Sequence, residues 1–233
     1  MSVKNLGRLA GLLSLLTAIT GGWGYFYLRT SVMAPGDATA TVANIMASEF
    51  LFRLAIVCTL VSQVLMVFFG LTLFQLFKEI HRVWATILFV SILMSAGIAL
   101  VNQLNNFGVL HVLSGADYLK AFTADQLKAI AFFFMRMAGF GQGLLEIFWT
   151  PYYLAFGVLV IKSKYLPKVI GILLILMSIT FAVNIYTKFL VPTFHPLMFT
   201  RMAIGLSALG NIPMMLWLLI MGARVEKPDK RAA

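Results

Sequence analysis

One cysteine stands in 233 residues, Cys58, so no intramolecular disulfide can form and no redox compartment follows from cysteine usage. It lies in an apolar run and reads as a small buried apolar side chain. Charge is scarce as well. Asp, Glu, Lys and Arg make up 11% of the chain, where a soluble domain carries roughly a quarter. Acids are the scarcer sign, eight against eighteen basic residues. Of the three histidines, His81, His111 and His195, none stands in an H-E-x-x-H arrangement, and a surface role fits each better than a metal site. There is no G-x-S-x-G elbow, phosphate-binding glycine loop or dinucleotide fingerprint. No two carboxylates share a span at catalytic spacing. These absences exclude a soluble enzyme, a disulfide scaffold, a disordered chain and a free nucleic-acid binder as primary readings. No cofactor or metal is expected, and no recognisable catalytic motif points to an enzyme.

Apolar residues are what the chain has in excess: 61%, with a mean hydropathy of +0.94. That balance leaves too little polar surface to cover a water-facing globule and implies a polytopic membrane protein. A helix crosses a bilayer with about 20 apolar residues. Six stretches qualify, at about 6–27, 45–77, 83–104, 126–161, 166–190 and 198–221. The second and fourth are too long for the hydrocarbon alone, so their ends must protrude, tilt or cover a neighbour. The expected fold is all-α: a single domain over 1–233, built as a bundle of six transmembrane helices.

The net charge of +10 then speaks to orientation rather than to nucleic acid. With the N-terminus inside, Lys4, Arg8, Lys78, Arg82, Lys162, Lys164, Lys168, Arg224, Lys227, Lys230 and Arg231 share one side. The other side receives Arg29, Lys120, Lys128 and Lys188, while Arg53, Arg136 and Arg201 fall within or near spans. This bias places both termini in the cytoplasm. Ala38-Thr39-Ala40 is like a signal-peptidase site, but the apolar stretch before it is too long for a signal peptide and ends well short of it, so a retained span is expected.

Short basic turns at 78–82 and 162–165 make hairpins of the second and third spans and of the fourth and fifth. The outer connections are longer. Residues 30–44 carry the turn Pro35-Gly36-Asp37, and 108–125 end in Thr123-Ala124-Asp125-Gln126, a capping box for the fourth span. Residues 191–196 hold two prolines. A faint repeat pairs Ile92-Leu93-Met94-Ser95, followed by Asn102, with Ile175-Leu176-Met177-Ser178, followed by Asn184. It would suit a duplicated hairpin, although apolar alphabets produce such matches by chance.

Polar groups inside spans are costly and usually face a cavity or a partner. Counted from the cytoplasmic ends, they gather in the outer half of the bilayer. Asn102, Gln103, Asn105 and Asn106 fall in the third span, Arg136, Gln142 and Glu146 in the fourth, Asn184 in the fifth, Arg201 and Asn211 in the sixth. An outward cavity lined by several helices is one reading; interhelical hydrogen bonds are the other. Glu146 is the deepest carboxylate, and unpaired it would have a raised pKa. Arg136 lies ten residues away, about 15 Å along one helix, too far to pair with it. Glu49 and Arg53, at i and i+4, read as a structural ion pair. Gly139, Gly141 and Gly143 before Glu146, and Pro151 after it, suit either close packing or a flexible segment. Gly7 and Gly11 form a small-xxx-small packing pair.

Three groups of residues carry a resemblance. The first is Pro35-Gly36-Asp37-Ala38 with Thr41, Asn44-Ile45, Glu49 and Leu51-Phe52-Arg53. The second is Ser163-Lys164-Tyr165-Leu166-Pro167 with Gly171. The third is Leu216-Trp217-Leu218-Leu219 with Gly222. Together they resemble a bacterial family of six-span integral membrane proteins known only as a domain of unknown function. The resemblance covers nearly the whole chain and implies six spans in a bacterial cytoplasmic membrane. It implies no activity. The family's pattern often has an acid where this chain has Asn211.

Three functions are consistent with this pattern. The first is binding or translocation of a small or amphipathic molecule through a polar cavity in the outer half of the membrane. Its ligand-binding residues would be Glu146, Arg136, Asn102, Gln142, Asn184 and Arg201. The second is a structural or regulatory membrane subunit without a ligand. The third is a membrane enzyme acting on lipid head groups, with Glu146 as acid or base. Membrane lipids are the expected partners, nucleic acid is not, and a homodimer is needed if so small a chain is to form a complete alternating-access transporter.

Overall fold

The structure, a computed structural model, describes residues 1–191 and 197–223, with the backbone alone at 29, 188 and 197–204. Among the described residues eight α-helices follow one another: α1 (Val3–Tyr27), α2 (Ala38–Ala47), α3 (Glu49–Phe77), α4 (Arg82–Val112), α5 (Ala124–Glu146), α6 (Trp149–Ser163), α7 (Lys168–Leu190) and α8 (Leu197–Ile220). A π-helical turn, Leu28–Val32, extends α1, and a 3₁₀ turn, Asp117–Ala121, precedes α5. Among the described residues there is no strand.

Among the described residues five helical stretches are long and apolar enough to cross a membrane: Val3–Val32, Glu49–Phe77, Arg82–Val112, Ala124–Ser163 and Lys168–Thr187. The protein is an all-helical membrane protein. The Gly205–Ile220 part of α8 is apolar but shorter than a full span.

Both overlong stretches are interrupted. The second divides at Ser48, whose backbone (φ −137°, ψ 42°) ends α2 while its carbonyl accepts the Phe52 N–H at 3.0 Å and opens α3. The fourth divides at Ile147 and Phe148. Pro151 explains that position: it has no N–H to give the Ile147 carbonyl, and its ring crowds that oxygen. The third stretch runs further than its apolar residues suggest. The asparagine-rich segment stays helical, and α4 continues to Val112.

The segment that carries the Pro-Gly-Asp resemblance is a helix start. Gly36 takes a positive φ of 82°, natural for glycine. Asp37 caps α2, its Oδ1 accepting the Ala40 N–H at 2.8 Å. The buried Thr41 hydroxyl donates to the Asp37 carbonyl (2.8 Å) and accepts the Ala34 N–H (3.0 Å). Asn44 Nδ2 donates to the Val32 carbonyl at 3.2 Å. The capping box of α5 also forms: the Thr123 N–H donates to Gln126 Oε1 (2.8 Å), and the Gln126 N–H to Thr123 Oγ1 (3.3 Å).

The chain divides into two compact units. Unit 1 comprises Met1–Leu15, Met66–Ser95 and the chain from Glu146 onward. Its core contains Phe69, Leu73, Leu88, Ile92, Phe156 and Leu174. Its helices meet backbone to backbone. A Cβ at Gly7 would lie 2.3 Å from the Ala223 nitrogen, and one at Gly11 2.3 Å from the Leu219 nitrogen. Gly157 and Gly171 likewise let α6 and α7 touch through each other's carbonyls.

Unit 2 comprises Leu16–Leu65 and Ala96–Leu145. Val42, Ile45, Phe52, Ile56, Val109 and Ala131 are in its smaller core. Here glycines of α1 face hydroxyls of α3: Gly21 lies against Ser62, and Gly24 against Thr59.

Candidate functional site

In unit 2, α4 carries four amide side chains within five residues. One of them, Asn102, ties α4 to α5 and is itself held by a second, Asn105. Asn102 Nδ2 donates to the Ala138 carbonyl of α5 at 2.9 Å, and its own Oδ1 accepts from Asn105 Nδ2 at 2.9 Å. Gly141 makes room for this arrangement, because a Cβ there would stand 1.9 Å from Asn102 Oδ1. The other two amides are buried: Gln103 is 6% exposed and Asn106 is 4% exposed. Asn106 Nδ2 donates to Gln103 Oε1 at 2.7 Å, leaving Asn106 Oδ1 buried with no hydrogen-bond partner. A buried polar atom in that state costs about 1–3 kcal/mol.

At the Val112 end of α4 and the Glu49 end of α3 lies an open groove of about 500 Å³. Arg53, Phe107, Gly108, Leu110, His111 and Ser114 line it. Arg53 is held by Glu49, whose Oε1 accepts from both Nε and Nη2 at 2.7 Å. His111 shares a hydrogen bond with the Tyr118 hydroxyl, and its carbonyl accepts from Ser114 Oγ at 2.7 Å. The groove thus sets a guanidinium, an imidazole and a hydroxyl beside a phenyl ring and a leucine. A smaller hollow of about 250 Å³ lies between Gly115 and Leu127.

The residues singled out in the sequence have separate surroundings. Arg53 lines the groove; Asn102 bonds α5 instead. Arg136 is exposed on α5, with its guanidinium carbon 5.9 Å from the centre of the Phe140 ring, a cation–π distance. Gln142 is half-buried near the end of the same helix. Glu146 is the last residue of α5, directly before the break, and is half-buried in unit 1. Asn184 is half-buried on α7. The side chains of Arg201 and His195 lie outside the described residues. Among the described residues no cluster of three or more His, Cys, Asp or Glu could hold a metal ion.

Unit 1 uses its polar groups around α6. Trp149 Nε1 donates to Ser95 Oγ at 3.1 Å, and Ser178 Oγ donates to the Thr150 carbonyl at 2.8 Å. The serines of the two Ile-Leu-Met-Ser runs therefore hold consecutive residues at the start of one helix. Asn211 Nδ2 donates to the Tyr153 hydroxyl at 3.0 Å, and Tyr153 stacks on Phe181 with centroids 5.5 Å apart. An acid at position 211 would instead accept from that hydroxyl.

Sequence reasoning missed two features here. One is the contact of Asn102 with Gly141, which requires knowing how α4 faces α5. The other is the buried pairing of Asn106 with Gln103, two residues that the sequence does place in the polar cluster but whose burial has no signature in composition.

A family model described as "Domain of unknown function (DUF4386)" matches residues 9–222, nearly the whole chain. The chain belongs to that family. No curated protein and no solved structure matches it.

Proposed function

We propose that this member of the family binds a small amphipathic molecule in the groove between α3 and α4, at the outer face of a bacterial cytoplasmic membrane. The orientation rests on the charge bias, which puts the basic turns and both termini inside. One observation carries the reading: the groove pairs Arg53, His111 and Ser114 with Phe107 and Leu110 in one opening. A charged headgroup suits the first set and an apolar chain the second. Asn102, Arg136 and Gln142 of the same unit, with Glu146, Asn184 and Arg201, are the further polar groups that such a ligand, or its passage through the membrane, would use.

Native mass spectrometry on protein extracted in mild detergent tests this. A discrete extra mass is expected on the wild type and not on a folded Arg53→Ala variant. Identical sets of adducts on the two proteins, or none on either, contradict the reading. A second reading, in which polar residues only lock helices together, is favoured for Asn102 by its bond to the Ala138 carbonyl. On that reading Asn102→Ala lowers stability and leaves any adduct in place.

A further inference from the structure

We propose that the two basic turns of unit 1, between α3 and α4 and between α6 and α7, together bind the phosphate headgroup of an anionic phospholipid. The proposal is independent of the groove. Phe77, the last residue of α3, lies 5.8 Å from the ring of Tyr165 in the second turn, and 5.9 Å from Phe156 of α6. That contact brings the two turns into one neighbourhood. The first turn and the helix it opens supply Lys78 and Arg82, the second Lys162, Lys164 and Lys168. Four of these five are exposed, and Lys78 is half-buried. Glu79 is the one carboxylate in these two segments.

Among the described residues of unit 1 the carboxylates are two, Glu79 and Glu146. The ion pairs Glu49–Arg53, Asp117–Lys120 and Asp125–Lys128 belong to unit 2. Lys78, Arg82, Lys162 and Lys168 take part in none of them. Burial raises the Tyr165 hydroxyl above its usual pKa, so this side chain adds no negative charge at neutral pH. Like charges gathered in this way repel, and an anion bound among them relieves the repulsion.

The apolar surface beside the cations selects a lipid over a free anion. Val83 and Val169, in the first turns of α4 and α7, are 63% and 60% exposed. Ile172 on α7 and Val90 on α4 continue these exposed faces. Trp84, half-buried beside His81 at a centroid distance of 6.5 Å, stands with Tyr165 where interfacial aromatics sit at headgroup level. Basic pockets between transmembrane helices are suited to such headgroups.

The test uses the full chain in detergent, titrated with phosphatidylglycerol or with phosphatidylcholine of the same acyl chains, and read by native mass spectrometry. The wild type is expected to retain the anionic lipid about tenfold better than the zwitterionic one. The triple variant Lys78→Gln/Lys162→Gln/Lys168→Gln should lose that preference, and the matching Lys→Arg triple should keep it. Lys120→Gln/Lys128→Gln, which removes charge from unit 2, should change nothing. Equal retention of the two lipids by the wild type overturns the proposal, as does an undiminished preference in the Gln triple. Displacement of the lipid by millimolar inorganic phosphate would also overturn it, because the site would then be one for the free anion. If the Gln triple fails to fold, the wild-type lipid comparison and the phosphate competition still decide.

Discussion

The two units of this chain use different forces. In unit 1, glycines bring backbones into contact, rings stack around α6, and the Trp149–Ser95 and Ser178–Thr150 hydrogen bonds join packed helices. In unit 2 lie all three described ion pairs, the buried Gln103–Asn106 pair with its unpartnered oxygen, and the open groove. In lipid the hydrophobic effect does not drive helices together, so close packing and hydrogen bonds must do so. Unit 1 is built on that principle. Unit 2 adds to it a buried amide pair, surface ion pairs and an open groove. Such additions mark the region where function is to be sought.

The contrast can be broken most severely at the glycine contacts. Gly11→Leu places a branched side chain where a Cβ already stands 2.3 Å from the Leu219 nitrogen. It should cost about 3 kcal/mol or more and abolish the folded monomer in size-exclusion chromatography; a monodisperse variant would refute the contact. Gly141→Ala comes next. Its methyl meets Asn102, so a loss of about 2 kcal/mol is expected. Asn102→Ala should relieve part of that loss, and thermal melts of the two single variants and the double variant measure the coupling. Simple additivity would show that the two residues do not touch.

Smaller effects sharpen the comparison. Replacing the buried amides together, Gln103→Leu/Asn106→Leu, removes a desolvated polar pair and should stabilise the protein by about 1 kcal/mol. The equivalent removal of a satisfied bond in unit 1, Ser178→Ala, should destabilise by about 1 kcal/mol. Opposite signs would confirm that the units differ in kind; equal losses would erase the distinction. Glu49→Gln is the mildest change. The pair is more than half exposed (57% and 54%), so its loss should cost less than about 0.5 kcal/mol by melting.

Much of the fold is legible in sequence because apolar runs of this length have one stable environment. The turns at 78–82 and 162–165 announce themselves by charge and by Pro167, and the capping box by Thr123 and Gln126. The helix breaks are less legible. Pro151 reveals the second break only when its effect is carried back four residues to Ile147. Ser48 stands at the first with neither proline nor glycine beside it. The end of α4 is hidden for another reason: Asn105 and Asn106 mark where hydrocarbon-like sequence stops, and the helix continues beyond them to Val112. Of the candidate site, the Glu49–Arg53 spacing leads directly to the observed ion pair. The groove could not be read, because Arg53 and His111 meet only through the packing of α3 on α4.

The groove belongs to unit 2, and its ligand depends on Arg53 rather than on the packing of unit 1. Native mass spectrometry and thermal melts on wild type, Arg53→Ala and Ser178→Ala, run side by side, test it most directly. An adduct that wild type and Ser178→Ala share and Arg53→Ala lacks is expected, apart from any phospholipid held at the basic turns of unit 1, with the larger fall in melting temperature in Ser178→Ala. Identical sets of adducts on wild type and Arg53→Ala, or loss of the same adduct from both variants, would contradict it.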